Sequence, residues 1–99
     1  MDKNEFKNYI KNQNEKIKNL TSNDPKIVID ILKDVRSKLI LFETNDFRNI
    51  TQKRFFESGK ITSISTLELD IDQLENNSEN KHNYIQQILT LGGIISIFK

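Results

Sequence analysis

The stretch ITSISTLELDIDQL, residues 61–74, decides the fold. Read in pairs, Leu67, Leu69 and Ile71 alternate with polar neighbours, the period of a half-buried strand. Read in turns, Ile61, Ile64, Leu67, Ile71 and Leu74 recur at spacings of three, three, four and three, one side of a helix. Ser65 and Glu68 stand three apart, the pattern of a capping box at a helix start. The spacing predicts a helix over 66–77, with a strand over 61–71 as the alternative. With the helix, the chain reads as all-α.

The neighbouring segments agree with that reading. Towards the N-terminus, ETNDFRNITQKRFFESGK (43–60) holds Phe47, Ile50, Phe55 and Phe56 without a clean period. Gly59 is suited to the residue just past a helix end, so a short helix over 47–58 is expected. Before it, DPKIVIDILKDVRSKLILF (24–42) is the strongest helical pattern. Asp24 can cap the free N–H groups, and Pro25 sits where its missing N–H costs nothing. Val28, Ile31, Leu32, Val35, Leu39 and Phe42 form a wide apolar side, broadened by Ile27, Ile40 and Leu41. This helix, 25–42, belongs at the centre of the core. The first helix, 3–20, carries a narrow stripe of Phe6, Ile10, Gln13, Ile17 and Leu20 among lysines and asparagines. Packing must hold it, because its own propensity is weak.

Towards the C-terminus, NNSENKHN breaks the pattern, and Ser78 can cap a last helix over 79–91. Gly92 and Gly93 should weaken or end that helix. The chain then finishes on IISIFK, within a tail of residues 92–99. The tail reads in two ways. It folds back to fill the core, or it hinges on the glycines and presents Leu91, Gly92, Gly93, Ile94, Ile95, Ile97 and Phe98 to a partner. An exposed IISIF would be adhesive unless something received it. The simplest packing of these elements is one domain over 1–99, a small antiparallel four-helix bundle with a short fifth helix or an apolar tail.

Composition narrows the chemistry. The chain has 99 residues, 35% hydrophobic and 29% charged, with no Cys and no Trp. Without Cys there is neither a disulfide scaffold nor a thiolate metal site. Net charge is +1, but unevenly placed. Residues 1–60 carry 13 basic and 9 acidic side chains, whereas 61–80 carry five acidic side chains and no basic one. No secretory signal is visible and no segment reaches the roughly 20 apolar residues of a spanning helix, so a cytoplasmic protein is expected.

His82 is the only histidine, and it lacks partners for a metal site. Asp70, Asp72 and Glu75 lack the spacing of a calcium loop and read as a solvated acidic face. No nucleophile elbow, phosphate loop or glycine-rich nucleotide turn is present, so no enzyme, cofactor or small-molecule substrate is expected. Lys53 and Arg54 are the basic candidates of the middle segment. A nearly neutral chain is a poor match to nucleic acid.

The layout resembles the immunity proteins of class II bacteriocins from Gram-positive bacteria. The size is similar. So are a lysine-rich first helix, DPKIVIDILKDVRSKL (24–39) as a strongly apolar second helix, and KITSISTLELDIDQL (60–74) as a later amphipathic one. The ending TLGGIISIFK (90–99) is similar to the tails of some lactococcin-type members, most of all at Leu91-Gly92-Gly93-Ile94. The resemblance implies a cytosolic antiparallel four-helix bundle without a cofactor. It also implies protection of the producer cell from its own pore-forming peptide. The implied partner is a membrane permease, alone or complexed with the bacteriocin, bound from the inner face of the membrane. Specificity would lie in the C-terminal half and tail.

Two other readings compete. In one, the chain is a small phage or mobile-element protein that inhibits a host protein or binds nucleic acid. It would act through Lys53 and Arg54, or through an acidic 68–79 face that mimics DNA. In the other, it is a helical dimerisation module in which IISIF pairs with its symmetry mate.

Overall fold

A computed structural model describes residues 2–20, 24–43, 47, 49–76 and 84–98. It contains four helices: α1 (Lys3–Lys18), α2 (Pro25–Leu41), α3 (Ile50–Asn76) and α4 (Ile85–Ser96). No strand occurs among the described residues. Residues 61–71 are helical, so the period of 3.6 prevails over the alternation.

The bundle closes as a ring. α2 packs along α3, α3 against α4, α4 against α1, and α1 more lightly against α2. One aromatic knot fixes the directions. Phe98, after α4, lies 5.0 Å from Phe6 near the start of α1 and 5.2 Å from Phe42 at the end of α2. It is also 5.0 Å from Phe56 near the start of α3. Starts and ends therefore alternate at this end, as in an up-down-up-down bundle. Aromatic pairs in such geometry add about 0.5–1.5 kcal/mol each beyond their buried area.

α1 begins where Asp2 Oδ1 accepts from the Glu5 N–H at 2.8 Å. Its buried stripe is Phe6, Ile10, Asn14 and Ile17. Asn14 therefore takes the inward place expected of Gln13, which is only half-buried. α1 ends at Lys18, two residues earlier than its pattern suggests. α2 starts as expected: Asp24 Oδ1 accepts from the Lys26 N–H at 3.0 Å, and Pro25 opens the first turn. Its buried side is narrower than the sequence implies. Val28, Ile31, Leu32, Val35 and Leu39 are buried, while Ile27, Ile40 and Leu41 are exposed.

The expected helices 47–58 and 66–77 are one continuous helix, α3, of 27 residues. Gly59 does not end it. A Cβ at Gly59 would lie 2.6 Å from Ile97 Cγ2, so the missing side chain lets α3 and α4 approach closely. Ser65 is mid-helix and starts nothing. Thr62 and Thr66 instead donate to the carbonyls of Ser58 and Thr62, four residues back, at 3.2 and 2.9 Å. The inner line is Phe56, Ser63, Leu67, Asp70, Ile71 and Leu74, and its two polar members break the apolar period. From Ile50 to Phe55 every side chain is exposed, which is why no period shows there.

α4 follows Tyr84, which is left-handed at φ 58°. The expected start near 79 and the Ser78 cap lie outside the described residues, as does His82. The glycine pair does not end the helix, which runs on to Ser96, and Ile97 and Phe98 close it with N–H bonds three residues back. Glycine costs about 1 kcal/mol per helical site. Burying Ile94, Ile97 and Phe98 is worth about 1.5–3 kcal/mol each and outweighs it.

Candidate interaction face

The seven tail residues divide by side. Leu91, Ile94, Ile97 and Phe98 are buried, Ile95 is half-buried, and only Gly92 and Gly93 are exposed. The tail fills the core and is not a free apolar arm. An amphipathic helix turns its apolar positions inward, and nothing in IISIF escapes that rule except the half-buried Ile95.

The outer side of α4 is a different surface. Ile85, Leu89, Gly92 and Ser96 recur at spacings of four, three and four, and all are exposed. That is the spacing of a helix seam. Leu89 is 64% exposed and Ile85 56%. From Tyr84 to Phe98 there is no charged residue, in a chain that is 29% charged. α3 extends the neutral surface. Gly59 and Asp70 meet α4, and beside them run Thr62, Thr66, Leu69 and Gln73, again uncharged, with Leu69 62% exposed.

The two glycines do not serve internal packing. A Cβ built at Gly92 or at Gly93 meets no atom of the described residues within 4 Å, in contrast with Gly59. Both have ordinary helical φ, so neither is required by a turn. They leave a notch in the middle of the neutral seam. The glycines stand out in the sequence, whereas Ile85, Leu89, Ser96 and Leu69, exposed beside them, do not. The four-three-four spacing was the signal that could have found the first three.

The charged candidates are not brought together as one face. Asp70 is buried, only 3% exposed, and lies inside the bundle rather than on an outward acidic surface. The hydroxyl of Thr90 is 2.7 Å from Asp70 Oδ2 and 2.9 Å from the Gln86 carbonyl oxygen, one proton within reach of two acceptors. Burial raises the Asp70 carboxyl above its usual range, and the bond from Thr90 only partly opposes this. Asp72 accepts from Asn76 Nδ2 at 2.8 Å, and Glu75 lies 3.7 Å from Lys33 Nζ. Lys53 and Arg54 are exposed on the first turns of α3.

An open groove of about 430 Å³ runs between α2 and α3 past Lys33, Arg36, Glu68, Ile71 and Asp72. Arg36 donates through Nε and Nη2 to Glu68 Oε1 at 3.1 and 3.0 Å, so its cation is already engaged. On the opposite side, Asp34 accepts from Tyr9 and from Lys38, the latter at 2.8 Å. The Lys38 bond is the main cause that lowers the Asp34 carboxyl, and burial raises the Tyr9 phenol. The Tyr9 and Arg36 bonds tie α2 to α1 and α3, and the Lys38 bond lies within α2. Among the described residues no group of three or more His, Cys, Asp or Glu could hold a metal ion. Nor is any described helix long and apolar enough to cross a membrane.

Comparison with models of known protein families, with curated proteins and with solved structures finds no match to this chain.

Proposed function

We propose that this protein is a bacteriocin immunity protein that works by docking, without catalysis. Its partner is a helix of a membrane permease, held in complex with the bacteriocin, and it acts from the cytoplasmic side. The neutral outer seam of α4, notched by Gly92 and Gly93, is the docking surface. One observation carries the reading: two exposed glycines in mid-helix that the fold does not use, set in a seam with no charge. A partner backbone gains close approach at such a notch, as small residues allow between helices at membranes. An uncharged face also avoids stripping water from ions on docking.

This reading moves the contact from the tail's buried residues to the outer stripe of Ile85, Leu89, Gly92 and Ser96. The DNA-mimic alternative is weakened, because Asp70 is internal and Glu68 and Glu75 are paired with Arg36 and Lys33. The test is survival of a sensitive Gram-positive strain that expresses the chain and is challenged with a panel of class II bacteriocins. Wild-type chain should protect against one of them. Leu89→Lys should lose that protection with its helical circular dichroism intact. Killing by every peptide of the panel, with abundant folded protein in the cells, would count against the proposal.

A further inference from the structure

We infer that the α4 seam pairs with the same seam of a second copy, antiparallel about a two-fold axis. The order of side chains along the stripe is the reason. Ile85 and Leu89 are large, while Gly92 and Ser96 are small, and all four are exposed. Run antiparallel, residue 85 of one copy faces 96 of the other and 89 faces 92, so each large side chain meets a small one. Run parallel, each residue would face itself, with Leu89 against Leu89 and an empty notch at Gly92. Only the antiparallel register fills the space, and close filling is what packed interfaces need.

Charge points the same way. Any two-fold pairing sets like against like near its axis, which a charged stripe resists. This stripe has no charge to repel, whereas the rest of the surface has many. On α3, which meets α4 through Gly59 and Asp70, the line of Thr62, Thr66, Leu69 and Gln73 is likewise uncharged. In the paired state the seam of the proposed function is covered, so a permease helix must displace the second copy. The inference rests on reading the stripe as a helix-docking seam. Self-association is nonetheless measured on the purified chain alone, so its failure is distinguishable from a failure to protect cells.

The experiment is sedimentation equilibrium of the full chain at concentrations up to about 1 mM. A monomer–dimer equilibrium is expected. Gly92→Gln fills the notch without touching the monomer's interior, and should weaken the dimer by about tenfold or more at unchanged or higher thermal stability. Orientation is read by cross-linking, for which the Cys-free chain is suited. Ile85→Cys and Ser96→Cys variants, mixed and oxidised, should join to each other. Neither should join to itself, because 11 residues of helix separate the two positions by about 16 Å. A wild-type chain that stays monomeric, a dimer indifferent to Gly92→Gln, or Ile85→Cys linking to its own copy would each overturn the inference.

Discussion

Gly59 and the pair Gly92–Gly93 are the only glycines of the chain, and they do opposite things. Gly59 lies where α3 meets α4, with Ile97 pressed against the space a side chain would take. Gly92 and Gly93 lie on the far side of α4 with open space around them. Both cases sit in helix interiors and carry the same propensity cost. At Gly59 the cost is offset by closer packing inside the molecule. At Gly92 and Gly93 no packing among the described residues offsets it, which is what the proposed docking seam requires. The comparison separates α4 into an inner side that builds the fold and an outer side available for recognition.

Substitutions on the two sides of α4 should differ in size and sign. The largest effect belongs to the inner side. Phe98→Ala removes the ring that joins Phe6, Phe42 and Phe56, and should cost about 3–5 kcal/mol in chemical denaturation. A loss below about 1 kcal/mol would mean that the tail does not fill the core. Next, Gly59→Val forces a branched side chain onto Ile97 and should destabilise by about 1–3 kcal/mol, read the same way. Replacing Asn14 should act in the opposite sense. Its Oδ1 is buried with no hydrogen-bond partner among the described residues. Asn14→Leu should stabilise by about 1–2 kcal/mol, seen as a higher melting temperature.

The Asp70–Thr90 tie between α3 and α4 gives a pH signature. Burial raises the folded-state pKa of Asp70 above the unfolded value of 3.8. The folded chain therefore holds this proton more tightly than the unfolded chain. The group's contribution to stability is full below the unfolded pKa and is lost as pH rises through the raised folded value. Asp70→Asn should flatten that part of the stability–pH curve and leave the variant at least as stable as wild type at neutral pH. A variant less stable at neutral pH, with an unchanged slope under acid, would show that the ionised carboxylate is the form the fold uses.

The sequence made α2 legible because its capping residues and its apolar period coincide. It also made the all-α class legible, since the strand reading of 61–71 required ignoring Ile61, Ile64 and Leu74. The continuity of α3 was hidden for two physical reasons. Its first turns carry only exposed side chains, and Ser63 and Asp70 interrupt its inner line. Gly59 then looked like a stop signal, because close packing against Ile97 leaves no trace in local sequence. The candidate site was half legible. The glycines stood out, but which side of α4 they occupy depends on burial of Leu91, Ile94 and Ile97 by other helices. The acidic face failed at Asp70 because the helix phase turns it towards Thr90.

If Gly92 and Gly93 do not serve the fold, a Gly92→Ala, Gly93→Ala double variant gains stability against denaturant. Alanine has the higher helix propensity, and its Cβ meets nothing among the described residues at either position. The expected gain is about 1–2 kcal/mol with an unchanged helical spectrum. A loss of stability would contradict it, because the glycines would then be serving the bundle itself.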